Sequence, residues 1–120
     1  MKDSIVLGKS MDFAVRIVKL YKHLCGEHNE YVLSKQILRS GTSIGANIRE
    51  ALQGQSKADF IAKMSIALKE ASETEYWLEL LMKTDYLTQP QYESIQSDCG
   101  EIVRLLTSIV KTSRETAKKD

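Results

Sequence analysis

The sequence is poor in the residues that interrupt helices. It contains one proline and six glycines in 120 residues, which leaves few positions for the turns and strand ends of a β-sheet protein. Hydrophobic residues make up 42% of the chain and charged residues 28%, which is typical of a globular protein rather than a disordered one. The length leaves no room for a catalytic domain beside an accessory one, so we expect a single all-α domain over residues 1–120.

Cysteines and long apolar runs are scarce as well. The two cysteines, Cys25 and Cys99, have no Cys or His neighbour at the spacing of a metal site. We expect two reduced core thiols in a cytoplasmic protein, with a single disulfide as the alternative. No stretch approaches the roughly 20 apolar residues that span a bilayer. Residues 1–8 also lack the apolar run of a signal peptide, so we expect no membrane partner.

Four amphipathic segments follow one another at helical spacing, separated by short polar breaks. We predict helices over about residues 10–25, 33–52, 57–83 and 90–113. Ser10 is the predicted N-cap of the first helix, and residues 26–30 are predicted to form its C-cap and the following loop. Residues 114–120 are predicted to be a fraying tail. Short connections of this kind predict an antiparallel up-down-up-down four-helix bundle.

The second segment leaves one alternative open. Ser40–Ser43 has the composition of a loop that would split the helix. However, the apolar stripe keeps its phase across Gly41, which favours one continuous helix. Gly41 and Gly45 would then allow a neighbouring helix to approach closely.

The third segment carries apolar residues on two faces. One face suits the core of the bundle, and the second points well away from it. A helix in a small bundle does not need two apolar faces, so the second indicates either an enclosed helix or contact with another subunit. The candidate oligomer-interface residues are Ala62, Ile66, Trp77 and Leu80.

Groups that could converge for catalysis are almost absent. The histidines, His23 and His28, have no Asp or Cys at a suggestive spacing, and the common phosphate-binding, zinc-protease and hydrolase motifs are missing. A di-iron bundle needs Glu-x-x-His motifs, and no Glu stands three residues before a His.

Two polar residues lie on or beside apolar faces. Glu75 lies within the main apolar face of its helix. We expect a buried or interfacial carboxylate that accepts hydrogen bonds, with a role as a ligand or an acid–base residue as the alternative. Asn47 is expected to fix helix register. We predict no enzymatic activity, no cofactor and no metal.

Positive charge is balanced over the whole chain but not along it. The net charge is +1, yet residues 1–54 carry eight Lys/Arg against five Asp/Glu, and residues 55–120 carry nine against eleven. One interpretation is a solvated face with interspersed salt bridges. The other is a surface that binds phosphates by backbone and shape, because no aromatic residues alternate with the cations. The candidate nucleic-acid-binding residues, which we call the basic set, are Lys9, Arg16, Lys19, Lys22, Arg39 and Arg49. Oligomerisation would multiply such a surface.

Two blocks of the sequence resemble a known family. Residues 33–51, LSKQILRSGTSIGANIREA, look like the signature of the bacterial four-helix-bundle proteins, also called 23S ribosomal RNA intervening-sequence proteins. Residues 59–71, DFIAKMSIALKEA, followed by ETEYWL at 73–78, resemble the second signature block of that family. The similarity extends over about residues 9–109 and shows no departure at the matched positions.

The resemblance implies an antiparallel four-helix bundle that assembles into a ring, typically a homopentamer. It also implies a similarity in fold to the accessory variability proteins of diversity-generating retroelements, which bind nucleic acid and a reverse transcriptase through a basic surface of the ring. Many genes of the family lie in insertions within ribosomal RNA genes, which suggests an RNA-linked role. The family has no established enzymatic activity, so it supplies no catalytic residues.

Two functions follow as expectations. The first is a non-enzymatic oligomeric accessory protein that binds structured RNA or other nucleic acid through the basic set. The alternative is a structural or scaffold oligomer whose partner is another protein, for example a reverse transcriptase. The second apolar cluster of the third helix would then remain exposed on the assembled ring.

Overall fold

Four helices make up nearly all of the structure, a computed structural model that describes residues 2–119. The helices are α1 over Lys2–His28, α2 over Leu33–Leu52, α3 over Lys57–Lys83 and α4 over Gln89–Lys119. No strand occurs in the described part of the chain. The all-α prediction is therefore confirmed for these residues.

The first helix is longer at both ends than its sequence pattern predicts. It begins at Lys2 rather than near Ser10, and it continues through Gly26 to His28. Ser10 is not an N-cap: it is buried inside α1, and its hydroxyl donates a hydrogen bond to the Leu7 carbonyl at 2.8 Å. The extension is stabilised by Val6, which is fully buried in the core.

The last helix also exceeds its prediction. We expected residues 114–120 to fray, but α4 continues to Lys119, and Asp120 lies outside the described residues. Among the side chains of α4 whose burial is described, the last buried one is Val110. Beyond it, the Arg114 guanidinium donates a hydrogen bond to the Ser65 hydroxyl of α3 at 3.3 Å, which ties the extension to the bundle.

The connection between α1 and α2 is fixed by one buried carboxylate. Glu30 is only 7% exposed, and its carboxylate oxygens accept hydrogen bonds from the backbone N–H groups of three residues at 2.8–3.1 Å. These residues are Val32, Leu33 and Ser34. The carboxylate satisfies donors that the first turn of a helix leaves unpaired, and its charge complements the positive end of the helix dipole.

The other two connections use standard capping groups. The Ser56 hydroxyl accepts a hydrogen bond from the Asp59 N–H at the start of α3. At the start of α4, Thr88 and Gln91 form a reciprocal capping box: each side chain accepts a hydrogen bond from the other residue's backbone N–H. Two residues after the end of α3, Asp85 has a positive φ of 70°, and the Tyr86 N–H donates a hydrogen bond back to the Leu81 carbonyl.

The helices pack around a core to which each contributes. α1 contacts α2 and α4, and α3 contacts the same two helices, so that α1 and α3 are diagonally opposite. The largest fully buried side chains are Phe13, Ile17 and Leu24 of α1, Ile37, Ile44 and Ile48 of α2, Met64, Leu78 and Leu81 of α3, and Ile102 and Leu106 of α4.

Helices α1 and α2 approach each other closely at a glycine. α2 is continuous through Ser40–Ser43, so the alternative of a loop in that segment is wrong. A Cβ atom built on Gly41 would stand 2.7 and 2.9 Å from two side-chain carbons of Ile17 on α1. The prediction that a neighbouring helix approaches α2 closely at this glycine is confirmed.

Candidate functional site

Two members of the basic set bind carboxylates of α4. Lys9 Nζ lies 2.8 Å from Glu101 Oε1, and the hydrogen bond and charge of that carboxylate raise the pKa of Lys9. Arg16 Nη1 lies 2.7 Å from Asp98 Oδ2, and the guanidinium also donates to the Ser94 carbonyl and hydroxyl. Both cations are thus partly neutralised along the seam between α1 and α4.

A third member, Arg39, faces a different helix. Its guanidinium donates to the carboxylates of Glu70, at 3.2 Å, and Glu73 on α3. The pairing places Arg39 at the α2–α3 seam, whereas Lys9 and Arg16 lie at the α1–α4 seam. The six candidate residues therefore do not form one continuous patch on a single chain.

The remaining members of the basic set, Lys19, Lys22 and Arg49, have no carboxylate within ion-pair distance in the described part of the chain. All three side chains are exposed. Lys19 and Lys22 belong to the C-terminal half of α1, and Arg49 lies near the C-terminal end of α2. The charge of these three cations is therefore not neutralised by a carboxylate of the described chain.

Helix α1 also carries an exposed apolar stripe that sequence reasoning missed. The stripe consists of Met11, Val15 and Val18, which are 49%, 47% and 36% exposed. Met11 and Ala14 continue it into a cleft of about 300 Å³, whose other wall is formed by Gly45 and Ala46 of α2. Met11, Val15 and Val18 follow one another at helical spacing in the sequence, but that spacing does not show which edge of the broad apolar face of α1 is exposed.

The predicted interface residues of α3 are exposed to different degrees. Ala62 and Ile66 are exposed, with 42% of Ile66 accessible, whereas Trp77 and Leu80 are half-buried and Trp77 packs against the core. The structure adds Tyr76, which is 58% exposed and meets Trp77 edge to face at 5.0 Å between ring centroids. The indole N–H of Trp77 is buried without a hydrogen-bond partner in the described chain. We call Ala62, Ile66, Tyr76, Trp77 and Leu80 the α3 cluster.

The two predicted structural polar residues are half-buried rather than fully enclosed. Glu75 accepts a hydrogen bond from the Gln96 amide of α4 at 2.6 Å. Asn47 donates to the Ser43 carbonyl one turn earlier in α2 at 2.8 Å. Glu75 joins two helices, whereas the hydrogen bond of Asn47 stays within its own helix.

The thiols are not bonded to each other. Cys25 and Cys99 are both free, Cys99 being fully buried and Cys25 half-buried. The Cys99 thiol donates to the Ala71 carbonyl at 3.5 Å, and burial raises its pKa to about 12. Protonation at neutral pH makes this thiol a poor nucleophile.

An open groove lies at the junction of α1 with the start of α4. Its volume is about 610 Å³. Arg16, Lys19 and His23 line it from α1, and Gln91 and Ser94 from α4; the apolar part of its wall consists of Leu20, Leu87, Pro90 and Ile95. We call it the α1–α4 groove. Sequence reasoning did not find it, because its two walls come from segments far apart in the chain.

Metal and membrane features are absent from the described residues. Within residues 2–119, no group of three or more His, Cys, Asp and Glu side chains is placed to hold a metal ion. None of the four described helices is long and apolar enough to cross a bilayer.

Four long helices around one apolar core, with polar pairs across the seams, define the class as an all-α four-helix bundle domain. Residues 2–108 match the family described as 23S rRNA-intervening sequence protein, and the chain belongs to that family.

A solved structure from Bacteroides thetaiotaomicron agrees with this family. It is described as a protein of unknown function from the S23 ribosomal protein family. It is similar to this chain with a TM-score of 0.91 and 68% sequence identity, over 92% of this chain and 99% of the other. A search among proteins with curated descriptions finds no match.

Proposed function

We propose that this chain is a non-enzymatic accessory protein of the cytoplasm. It assembles as a homo-oligomeric ring of antiparallel bundles. It binds structured RNA or other nucleic acid through its unpaired cations, Lys19, Lys22 and Arg49. The observation that carries the proposal is the pair of unpartnered apolar surfaces, the α1 stripe and the α3 cluster, on diagonally opposite helices. Surfaces of this kind are rare on monomers and are typical of association sites.

The order of contacts between helices supports the antiparallel arrangement. Along α1, Lys2, Lys9 and Arg16 contact Ser108, Glu101 and Asp98 of α4 in that order. Along α2, Arg39 contacts Glu70 and Glu73, and Glu50 contacts Lys63. In both pairs of helices, α1 with α4 and α2 with α3, the residue numbers on the second helix fall as those on the first helix rise. This order is expected for helices that run in opposite directions.

The positions of the apolar surfaces favour a ring over a two-fold dimer. A two-fold contact uses the same patch on both copies, whereas a head-to-tail contact uses two different patches and closes into a ring when the rotation fits. The α1 stripe of one copy and the α3 cluster of the next would supply those two patches. Five copies is the number implied by the family resemblance.

The three unpaired cations support a polyanionic partner. Lys19, Lys22 and Arg49 are available to phosphates, while Lys9, Arg16 and Arg39 are already paired. Three cations on one chain would bind weakly. Repetition around a ring would convert these weak contacts into avid binding.

Assembly can be tested with two substitutions of exposed apolar residues. Val15→Lys alters the α1 stripe, and Ile66→Lys alters the α3 cluster. Each variant should lose the ring in light scattering after size exclusion, because a buried ammonium would face an apolar surface. A mixture of the two variants should form 1:1 dimers, since each retains the surface that the other has lost.

The matched control for assembly is Val32→Lys. Val32 is 73% exposed and lies between α1 and α2, outside both apolar surfaces. This variant should keep the mass of the unaltered protein, and all three should keep its helical circular dichroism. A monomeric unaltered protein, or a mixture that forms no dimer, would contradict the head-to-tail ring.

Nucleic-acid binding is tested by salt dependence. Fluorescence anisotropy with a structured RNA should give an affinity that falls steeply with salt, with the slope of log K reduced by roughly one for each lost phosphate contact. We expect that reduction for Lys22→Gln and Arg49→Gln but not for Lys9→Gln, whose side chain is held by Glu101. Binding that is independent of salt would remove this part of the proposal.

A protein partner is the second candidate, and one observation favours it. Tyr31 and Val32 are 52% and 73% exposed in the connection between α1 and α2, away from the α1 stripe and the α3 cluster. They would stay accessible on a ring assembled through those two surfaces. Val32→Lys should then abolish capture of a protein partner such as a reverse transcriptase without changing the oligomer mass.

A further inference from the structure

We propose that the α1–α4 groove binds an organic phosphate of mononucleotide size, either a free nucleotide or the terminal nucleotide of an RNA strand. The groove has a volume of about 610 Å³, within the range of pockets that hold small organic ligands. It combines an apolar wall with cations at its rim. That combination fits a ligand with a flat, weakly polar body and a strongly charged end.

The apolar wall suits a nucleobase. Leu20, Leu87, Pro90 and Ile95 provide it, and the His23 ring stands beside them. His23 belongs to a chain of edge-to-face aromatic contacts, at 5.0 Å to His28 and, from His28, at 5.5 Å to Tyr86. An imidazole held in place by such contacts offers a ring face for stacking, the contact that proteins use for bases of any sequence.

The cations at the rim suit the phosphate. The Lys19 ammonium is exposed and has no carboxylate within ion-pair distance in the described chain. Arg16 is held by three hydrogen bonds to Ser94 and Asp98. Because a guanidinium has five N–H groups, about two of them are left to donate to a ligand.

Backbone groups contribute little at this position. The Thr88 N–H donates to the Gln91 side chain, the Gln91 N–H donates to the Thr88 hydroxyl, and Pro90 has no N–H. The start of α4 is therefore already capped. Recognition of an anion would depend on the side chains of Lys19 and Arg16, which makes the site sensitive to single substitutions.

The groove can be tested with adenosine 5′-monophosphate as the probe. Calorimetry on the unaltered, full-length protein should give a dissociation constant below about 1 mM, and adenosine and inorganic phosphate should each bind about tenfold more weakly. Lys19→Gln should weaken binding of the monophosphate about tenfold, which is typical of a lost hydrogen bond to a charged group.

The matched control is Lys35→Gln, an exposed lysine of α2 that has no carboxylate within ion-pair distance in the described chain and is not part of the groove wall. It should change the affinity by less than about twofold. Equal losses in the two variants would show a general charge effect and would overturn the groove as a site. Binding of phosphate alone as tightly as the monophosphate would also overturn it, as would no heat of binding at about 10 mM ligand.

Two short RNAs of the same sequence distinguish the sources of the phosphate. If the 5′-phosphorylated strand competes with the monophosphate and the 5′-hydroxyl strand does not, the site accepts the terminal nucleotide. If neither competes, the site accepts the free nucleotide; both results support the groove. The groove site is independent of the proposed function. If the groove binds no nucleotide, RNA binding through Lys22 and Arg49 is unaffected. If the ring does not form, the groove of each chain can still bind its ligand.

Discussion

Helix α1 meets its two neighbours in different ways. Against α2 it packs Ile17 onto Gly41, where an added Cβ would lie 2.7 Å away. Against α4 its outer seam consists of polar contacts from Lys2, Lys9 and Arg16, with the ion-paired side chains 39–50% exposed. Added volume at the apolar contact would force the Ile17 side chain to shift. The polar seam, in contrast, can be changed at small cost, because water competes for every pair in it.

This difference separates the stability of the molecule from its surface chemistry. Atoms buried between α1 and α2 contribute dispersion and hydrophobic energy that no solvent replaces. The α1–α4 side leaves a groove of about 610 Å³ open and keeps Lys19 in solvent. One helix can therefore hold the bundle together on one side and present a binding surface on the other.

The largest effect should come from removing the side chain at the tight contact. Ile17 is fully buried, so Ile17→Ala should lower the free energy of unfolding by about 3 kcal/mol, through lost burial and the cavity left behind. Urea unfolding followed by circular dichroism at a fixed protein concentration would measure it. Val32→Ala, at a position that is 73% exposed and outside both apolar surfaces, should cost less than about 1 kcal/mol. Similar losses for both variants would contradict the assignment of Ile17 to the tight contact.

A smaller loss is expected when volume is added instead. Gly41→Ala should cost about 2 kcal/mol, because the new methyl group would stand 2.7 and 2.9 Å from two carbons of the buried Ile17 side chain and would force it to shift. In the Ile17→Ala background the same change should cost close to zero, since the methyl group would enter the cavity. Gly8 has no atom within 4 Å of an added Cβ, so Gly8→Ala serves as the control and should stabilise the helix by up to about 1 kcal/mol. Additive effects of Ile17→Ala and Gly41→Ala would rule out direct contact as the cause.

The smallest effect is expected at the polar seam. A double-mutant cycle of Arg16→Gln and Asp98→Asn should give a coupling energy below about 1 kcal/mol, as is usual for ion pairs this exposed. In high salt the coupling should shrink further. A coupling energy as large as the cost of Ile17→Ala would mean that both sides of α1 contribute equally to stability.

The periodic features of the fold were predictable from the sequence. An apolar stripe that kept its phase across Gly41 indicated a continuous α2, and the glycine itself indicated a close approach of helices. The N-terminus of α1 was not predictable in this way. Ser10 has the chemistry of an N-cap, but the buried side chain of Val6 extends the helix past it. A tertiary contact decided that boundary, and no local signal reports such a contact.

The candidate surfaces were less predictable. The pairing of Lys9 with Glu101 joins residues at opposite ends of the chain, so the sequence showed the cation without its partner. The breadth of the apolar arc on α1 hid the exposed stripe, because 3.6-residue spacing cannot show which edge of a broad arc meets solvent. The α1–α4 groove requires knowledge of which helix ends lie side by side.

The buried carboxylate of Glu30 has a consequence for recognition at the end of the bundle. Its hydrogen bonds fix the backbone of Val32 and of the two residues after it. The exposed side chains of Tyr31 and Val32 are therefore held on an ordered connection rather than on a flexible loop. A partner that binds there would lose little conformational entropy in ordering the backbone, so even a small contact area could give useful affinity.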